Sequence, residues 1–188
     1  MNNNKLFRAA GWCAFASALL MVLAMVSFVF TGAAPIAGMV GVSFEVISLL
    51  LLVFVFYALA VAHRSESKWL GFAGVVLLVV ALVVDIVSQQ VNNTFLFGLW
   101  YLLFSLPFLI FGFLGFRSTN MPRVLAILAL LAGVIYFIAA VVGFLGNPDL
   151  SDNISTLSIL LVLAWSLWLW RVLLSKKFAA ASSEPVAI

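Results

Sequence analysis

Six apolar runs, each long enough to cross a lipid bilayer as a helix, are the feature that most constrains this sequence. A helix needs about 20 predominantly apolar residues to cross a hydrocarbon core of roughly 30 Å. The runs lie near residues 9–31, 42–62, 69–88, 95–116, 122–145 and 155–175. Lipid offers no partner for exposed backbone groups, so helices are expected despite the many β-branched side chains. A β-barrel would need alternating segments of about 10 residues, and no such segment occurs. We therefore expect an all-α membrane protein.

The composition supports the same class and excludes several others. Of the 188 residues, 66% are hydrophobic and 8% are charged, whereas an average soluble domain is about 45–50% apolar and about 25% charged. So little polar surface excludes a cytosolic enzyme, a nucleic-acid-binding domain, a disordered chain and a disulfide scaffold. The single cysteine, Cys13, and the single histidine, His63, have no neighbours at metal-ligand spacing. We expect no cofactor and no metal.

Short gaps between the runs predict one compact domain, because short connections make successive helices antiparallel neighbours. The prediction is a six-transmembrane-helix up-down bundle over residues 9–177, preceded by a cytoplasmic N-terminus over residues 1–8. Residues 178–188 are rich in Ala and Ser and are predicted to form a flexible cytoplasmic tail. The last outer gap, 146–153, contains Asn-Pro-Asp, which is typical of a turn. Its carboxylates are expected in a loop.

The basic residues occur on one side of the predicted bundle only. They fall at the N-terminus, in the second and fourth gaps and after the last run: Lys5, Arg8, Arg64, Lys68, Arg117, Arg123, Arg171, Lys176 and Lys177. The first, third and fifth gaps contain none. Cytoplasmic loops of membrane proteins carry an excess of Lys and Arg. Both termini are therefore predicted to face the cytoplasm, in a bacterial inner membrane.

Two carboxylates inside the predicted spans form the sharpest candidate site. An Asp at the centre of a membrane helix costs about 2.5–3.5 kcal/mol, and less toward the interface. Glu45 and Asp85 each lie one to one and a half turns inside a predicted outer helix end. Ser88 and Gln89 follow Asp85 at i+3 and i+4, on the same face. One hypothesis is an outward-facing polar pocket for a cation, a proton or an amine. The alternative is two interfacial acids among lipid headgroups.

Small residues and tyrosines recur at helical spacing in the fourth and fifth runs. The two stripes are Gly98, Tyr101, Ser105, Phe108, Gly112 and Gly115, and Ala126, Ala129, Gly133, Tyr136, Ala140 and Gly143. Small residues let membrane helices approach closely, so the stripes predict tight packing between these two helices. A second hypothesis places a pocket near mid-membrane, lined by Tyr101, Ser105 and Tyr136.

Five of the tryptophans lie toward the predicted cytoplasmic side of the bundle. They are Trp12, Trp69, Trp165, Trp168 and Trp170, the last of which directly precedes Arg171. Tryptophan is enriched at membrane–water interfaces. The pattern therefore predicts an interfacial aromatic belt.

The stretch from residue 111 to residue 136 resembles a known family. It reads Phe111-Gly-Phe-Leu-Gly-Phe-Arg-Ser, then Met121-Pro-Arg-Val-Leu-Ala-Ile-Leu, then Ala132-Gly-Val-Ile-Tyr136. These segments are similar to the bacterial domain-of-unknown-function family 4386, whose members are uncharacterised polytopic membrane proteins, and Glu45 ahead of a long apolar run also fits that family. Ala126 departs from the family pattern, in which Gly is common. The resemblance implies a multi-pass membrane architecture and no mechanism, because the family has no established activity.

The sequence contains no catalytic set, since it lacks a phosphate-binding loop, a Ser/His/Asp combination and an HExxH zinc motif. The leading hypothesis is a non-enzymatic protein that binds or transports a small cationic or lipophilic ligand through an outward-facing polar pocket. Its candidate residues are Glu45, Asp85, Ser88, Gln89, Tyr101, Ser105 and Tyr136. The alternatives are an accessory or assembly subunit of a larger membrane complex, and, less favoured, an intramembrane enzyme. The expected partners are the lipid bilayer and either other membrane subunits or further copies of this chain, with no nucleic acid.

The predicted orientation can be tested with a topology reporter. A reporter fused after Lys177 is expected to be active on the cytoplasmic side of the membrane, because all the basic residues are predicted to lie there. A matched fusion within the gap at 146–153 should report from the periplasm. Periplasmic activity of the fusion after Lys177 would contradict the predicted orientation.

Overall fold

The computed structural model describes residues 3–30, 35–91, 93–119 and 121–175, and within these ranges the chain is helical with no strand. It contains six long helices: α1 Asn3–Val29, α2 Pro35–Ala62, α3 Arg64–Val91, α4 Thr94–Arg117, α5 Arg123–Phe144 and α6 Pro148–Leu174. All six are long and apolar enough to cross a membrane. The all-α class and the number of helices are therefore confirmed for the described residues. The predicted tail at 178–188 lies outside them.

The helices form a closed ring in which each helix packs against its neighbours in sequence, and α1 packs against α6. Since the connections are short, successive helices run in opposite directions. The outward faces carry large exposed apolar side chains, whereas the inward faces are buried. In water such a surface would be unstable, so the ring is suited to a lipid environment.

The two ends of the ring differ in charge. We call the end where α1, α3 and α5 begin the basic end, because every Lys and Arg of the described residues lies toward it: Lys5, Arg8, Arg64, Lys68, Arg117, Arg123 and Arg171. The opposite end, where α2, α4 and α6 begin, is the acidic end. It holds four of the five described carboxylates: Glu45, Asp85, Asp149 and Asp152.

Two helices, α2 and α6, begin seven residues before their predicted starts. In both, the helix includes residues that precede the apolar run. At the start of α6, the Asn147 side chain caps the helix by accepting a hydrogen bond from the Leu150 amide at 3.2 Å, and Pro148 occupies the first turn. Gly146 has a φ of +83° and makes the reversal from α5. Asp152 is therefore on a helix and not in a loop as predicted. The second helix that begins seven residues early, α2, starts at Pro35.

The α2–α3 junction consists of a single non-helical residue, His63, followed by a short turn. Ser67 has extended backbone (φ −167°, ψ 104°), and its hydroxyl accepts a hydrogen bond from the Leu70 amide at 3.3 Å. Ser67 thus caps the main length of α3. The His63 ring is buried, and its Nδ1 donates to the Leu59 carbonyl at 2.9 Å, while Nε2 is buried without a partner.

Aromatic side chains fill the inside of the ring along most of its length. Phe56 of α2 lies 4.9 Å from Phe111, 5.1 Å from Phe108 and 5.5 Å from Trp165, measured between ring centroids. The contacts continue through Phe104 to Tyr136 at 5.0 Å. Trp165 is only 1% exposed. It therefore belongs to this aromatic column and not to the predicted interfacial belt, because the inner face of α6 carries it.

The closest approach between helices joins α4 and α5 through interlocking glycines and leucines. A Cβ atom added to Gly112 would lie 2.6 Å from Leu130 Cγ and 2.9 Å from its backbone nitrogen. A Cβ atom added to Gly133 would lie 2.8 Å from Leu109 Cγ and 3.0 Å from its backbone nitrogen. The predicted tight packing of the two small-residue stripes is present at these positions.

Enlarging either of these glycines is expected to destabilise the bundle. Gly112→Ala and Gly133→Ala should each lower the free energy of unfolding by about 1–3 kcal/mol, since the added methyl group meets backbone as well as side chain. The measurement is thermal unfolding of the detergent-solubilised chain. Gly11→Ala is the control, because its nearest neighbours are flexible side-chain atoms of Leu174 at 3.2 Å. Equal Tm values for all three variants and the wild type would contradict this packing.

The buried histidine predicts a pH dependence of stability. Burial lowers the pKa of His63 below its usual value of 6.5, against opposing effects of the Leu59 hydrogen bond and the Glu66 charge. The unfolded chain takes up a proton near pH 6.5, but the folded chain does so only at lower pH. The free energy of unfolding should therefore fall as the pH drops below about 6.5.

The variant that isolates this effect is His63→Asn, which keeps a donor for Leu59 but does not titrate. Between pH 7 and pH 5.5 we expect the wild-type Tm to fall further than the variant's, by about 2–4 °C for each 1 kcal/mol of the His63 contribution. Carboxylate titration affects both proteins equally. Identical pH profiles would show that His63 contributes nothing.

Candidate functional site

A partly open cavity of about 80 Å³ lies in the half of the ring nearer the acidic end, and Glu45 provides its only charged side chain. Five helices contribute to its wall, α3 being the exception. The lining residues are Met21, Ala24, Met25, Phe28, Glu45, Leu49, Trp100, Phe104, Tyr136 and Ile159. The cavity exceeds the roughly 10–15 Å³ that a single water molecule requires, so it can hold a group of several heavy atoms.

Glu45 lies further from the start of its helix than the sequence predicted. Because α2 begins at Pro35, ten residues precede Glu45 in the helix, which places it about 15 Å from the helix start at 1.5 Å per residue. The predicted depth was one to one and a half turns. Leu49 and Leu52 follow as buried residues on the same helix, whereas Glu45 itself is partly exposed and lines the cavity.

Aromatic rings provide much of the cavity wall around this carboxylate. Phe28, Trp100, Phe104 and Tyr136 all line it. Trp100 is only 8% exposed, and its indole Nε1 is buried with no hydrogen-bond partner. An aromatic face attracts cations, most strongly when the ring is indole and the site is dry. The wall therefore combines one anionic group, several π faces and one unused N–H donor.

Asp85 lies near Glu45 but not in the cavity wall. It is 2% exposed and does not appear among the residues that line the cavity. Gln89 Nε2 donates to Asp85 Oδ1 at 3.1 Å, whereas Oδ2 is buried without a partner. Ser88 donates to the Asp85 backbone carbonyl at 2.8 Å. The predicted face of Asp85, Ser88 and Gln89 is thus one local cluster on α3, beside the cavity.

Tyr101 connects the cavity wall to a polar groove at the acidic end. Its hydroxyl donates to Asp152 Oδ1 at 2.8 Å, and its ring stacks on Tyr136 with centroids 6.1 Å apart. Tyr101 and Asp152 both line the groove, whose volume is about 290 Å³. The groove and the cavity are therefore separated by the stacked rings of two tyrosines.

Ser105 does not contribute a free hydroxyl to either site. It is fully buried, and its Oγ donates to the Leu102 carbonyl of the same helix at 2.7 Å. Of the seven predicted site residues, the structure places Glu45 and Tyr136 in the cavity wall and Tyr101 next to Tyr136. Asp85, Ser88 and Gln89 do not line the cavity. The Ser105 hydroxyl is used in its hydrogen bond to the Leu102 carbonyl.

Sequence reasoning missed Trp100, Phe104 and Asp152. Trp100 and Phe104 continue to Phe108 at spacings of four residues, so an aromatic stripe on α4 was visible beside the small-residue stripe. The stripe does not predict that Trp100 of α4 and Glu45 of α2 line the same cavity. Asp152 was placed in a loop, and only the early start of α6 brings it to Tyr101.

Metal-ligating groups do not cluster in the part of the chain that the structure describes, where no three His, Cys, Asp or Glu side chains come together. No protein-family model matches the chain, and no significant match is found among curated proteins or solved structures.

Proposed function

We propose that this chain is a membrane protein that binds a small organic cation in the cavity lined by Glu45. The observation that carries the proposal is one carboxylate in an otherwise apolar cavity that four aromatic side chains help to enclose. A carboxylate at this depth is costly unless a partner neutralises it. All the described Lys and Arg residues lie toward the other end of the ring, so none of them is that partner.

The aromatic side chains in the cavity wall favour an organic cation over a metal ion as the ligand. A metal ion prefers several oxygen ligands, but Glu45 is the one oxygen-rich side chain of this cavity apart from the Tyr136 hydroxyl. An alkylammonium group instead gains from both a carboxylate and aromatic faces. The volume of about 80 Å³ limits the bound part to a small head, such as a methylated ammonium. Asp85 supports the same charge preference from outside the wall.

The aromatic column favours binding over open conduction. Phe56, Phe108 and Trp165 are each almost completely buried and in mutual ring contact below the cavity. A ligand that enters from the acidic end therefore meets a packed interior beyond Glu45. The protein in this conformation is a ligand-binding or carrier protein, with no continuous pore along the column.

The membrane, orientation and family are part of the same proposal. We assign the protein to a bacterial inner membrane with both termini in the cytoplasm, since the charge asymmetry of the two ends agrees with the positive-inside rule. The acidic end and its groove then face the periplasm. Membership of the domain-of-unknown-function family 4386 rests on the resemblance over residues 111–136, and a non-enzymatic role rests on the missing catalytic set.

The proposal predicts stabilisation by a small quaternary ammonium ion. Tetramethylammonium chloride should raise the Tm of the detergent-solubilised full chain above the value in equimolar sodium chloride. A ligand at 100 times its Kd contributes about 2.7 kcal/mol. Glu45→Gln keeps the side-chain shape but removes the charge, so it should abolish the increase. Asp85→Asn should reduce the increase, because it removes only a nearby charge.

Asp149→Asn is the matched control, since it neutralises an exposed carboxylate at the same end without touching the cavity. It should leave the increase in Tm unchanged. Circular dichroism confirms that each variant folds. An equal increase in the wild type and in Glu45→Gln would show that the ammonium ion acts elsewhere and would refute the proposed site.

A further inference from the structure

A groove of about 430 Å³ lies between α2 and α3 at the basic end, far from the Glu45 cavity along the helix axes. Tyr57 on α2 lines one wall, and Arg64, Lys68, Trp69 and Phe72 line the other. All five side chains are exposed, Trp69 to 80%. We propose that this groove, the basic groove, binds an anionic phospholipid, with the phosphate on Arg64 and Lys68 and an acyl chain along the apolar wall.

The charge of the groove suits an anionic headgroup. Arg64 and Lys68 are both exposed at its lip. The only described carboxylate at this end, Glu66, is not part of the groove, and it accepts a hydrogen bond from the Ser65 hydroxyl at 2.9 Å. Guanidinium and ammonium groups form short, charge-assisted hydrogen bonds to phosphate oxygens. Two cations beside each other therefore favour a lipid with net negative charge over a zwitterionic lipid.

The order of side chains along the helices matches the order of groups in a lipid. Lys68 begins the main length of α3 directly after the extended residue Ser67, and Phe72 lies four residues further, about 6 Å deeper along the axis. The two basic side chains therefore lie at headgroup level, and Phe72 and Tyr57 lie beside the upper part of an acyl chain. Trp69 lies between these levels, where indole rings are enriched in membrane proteins. A soluble phosphate compound would use only the first of these levels.

The groove floor is formed by close helix packing. A Cβ atom added to Gly71 would lie 3.1 Å from the Cα atom of Ala60. The small side chains of Gly71 and Ala60 thus let the two helices meet, while the large aromatic side chains stand outward on both sides of the contact. The groove therefore follows from the close contact of α2 and α3 at this point.

The experiment measures which lipid lies next to Trp69. The full chain is reconstituted in vesicles of equal parts phosphatidylcholine and phosphatidylglycerol, with brominated acyl chains on one lipid or on the other. Bromine quenches nearby tryptophan fluorescence, and the difference between the wild type and Trp69→Phe isolates the Trp69 signal. We expect quenching to report a roughly 10- to 30-fold preference for phosphatidylglycerol at this site, from two basic side chains.

The variants decide whether the basic groove causes that preference. Arg64→Gln combined with Lys68→Gln should make the quenching by the two brominated lipids equal. The control combines Lys5→Gln with Arg123→Gln, which removes one exposed Lys and one exposed Arg at the same end and should preserve the preference. In the wild type, raised salt should weaken the preference, because exposed charges are screened; this measurement needs no variant.

Each remaining outcome would overturn the proposal. Equal quenching by both lipids in the wild type would show only unselective boundary lipid. Loss of the preference in the control pair would show a general surface charge effect. If inorganic phosphate at equal ionic strength abolishes the preference and sodium chloride does not, the occupant is a soluble phosphate and not a lipid. None of these results depends on ammonium binding near Glu45.

Discussion

The scarcity of hydrogen-bond partners inside a lipid-embedded bundle governs most of this structure. Buried polar groups must find partners within the chain, because neither lipid nor a packed aromatic core provides them. The buried serines follow this rule. Ser17 and Ser48 bond to each other across α1 and α2 at 2.9 Å, and Ser158 donates to the Ala132 carbonyl of the neighbouring helix at 2.8 Å. These contacts join helices without adding any polar surface.

Against this background, the exceptions are informative. Four buried side-chain atoms of the described residues lack partners: His63 Nε2, Asp85 Oδ2, Trp100 Nε1 and Trp170 Nε1. Two of them lie near the Glu45 cavity, one in its wall and one beside it. Unpaired polar atoms in a buried position are expensive, so those near Glu45 support the proposal of a binding site there. The small cavity, the aromatic wall and the charge asymmetry then all favour the same kind of ligand.

The closed ring keeps the polar groups of the acidic end apart from those of the basic end, although the chain has few polar residues. At the acidic end, Glu45 and Tyr136 line the cavity, and Tyr101 and Asp152 line the groove. At the basic end, Arg64 and Lys68 face outward beside aromatic side chains. The buried and mutually contacting rings of Phe56, Phe108 and Trp165 lie between the two ends.

The sequence by itself determined the helical class, the number of spans and the sorting of charges, because each depends on local run length or on position along the chain. It also identified Glu45, Tyr101 and Tyr136, since a charge or a hydroxyl within an apolar run is conspicuous. Only the tertiary structure decided that Glu45 and Tyr136 share a cavity with Trp100 while Asp85 and Ser105 do not. Closure of the ring sets the rotation of each helix, and helix rotation decides which side chains meet. That rotation depends on contacts between residues far apart in sequence, such as Phe56 with Trp165, which no local pattern records.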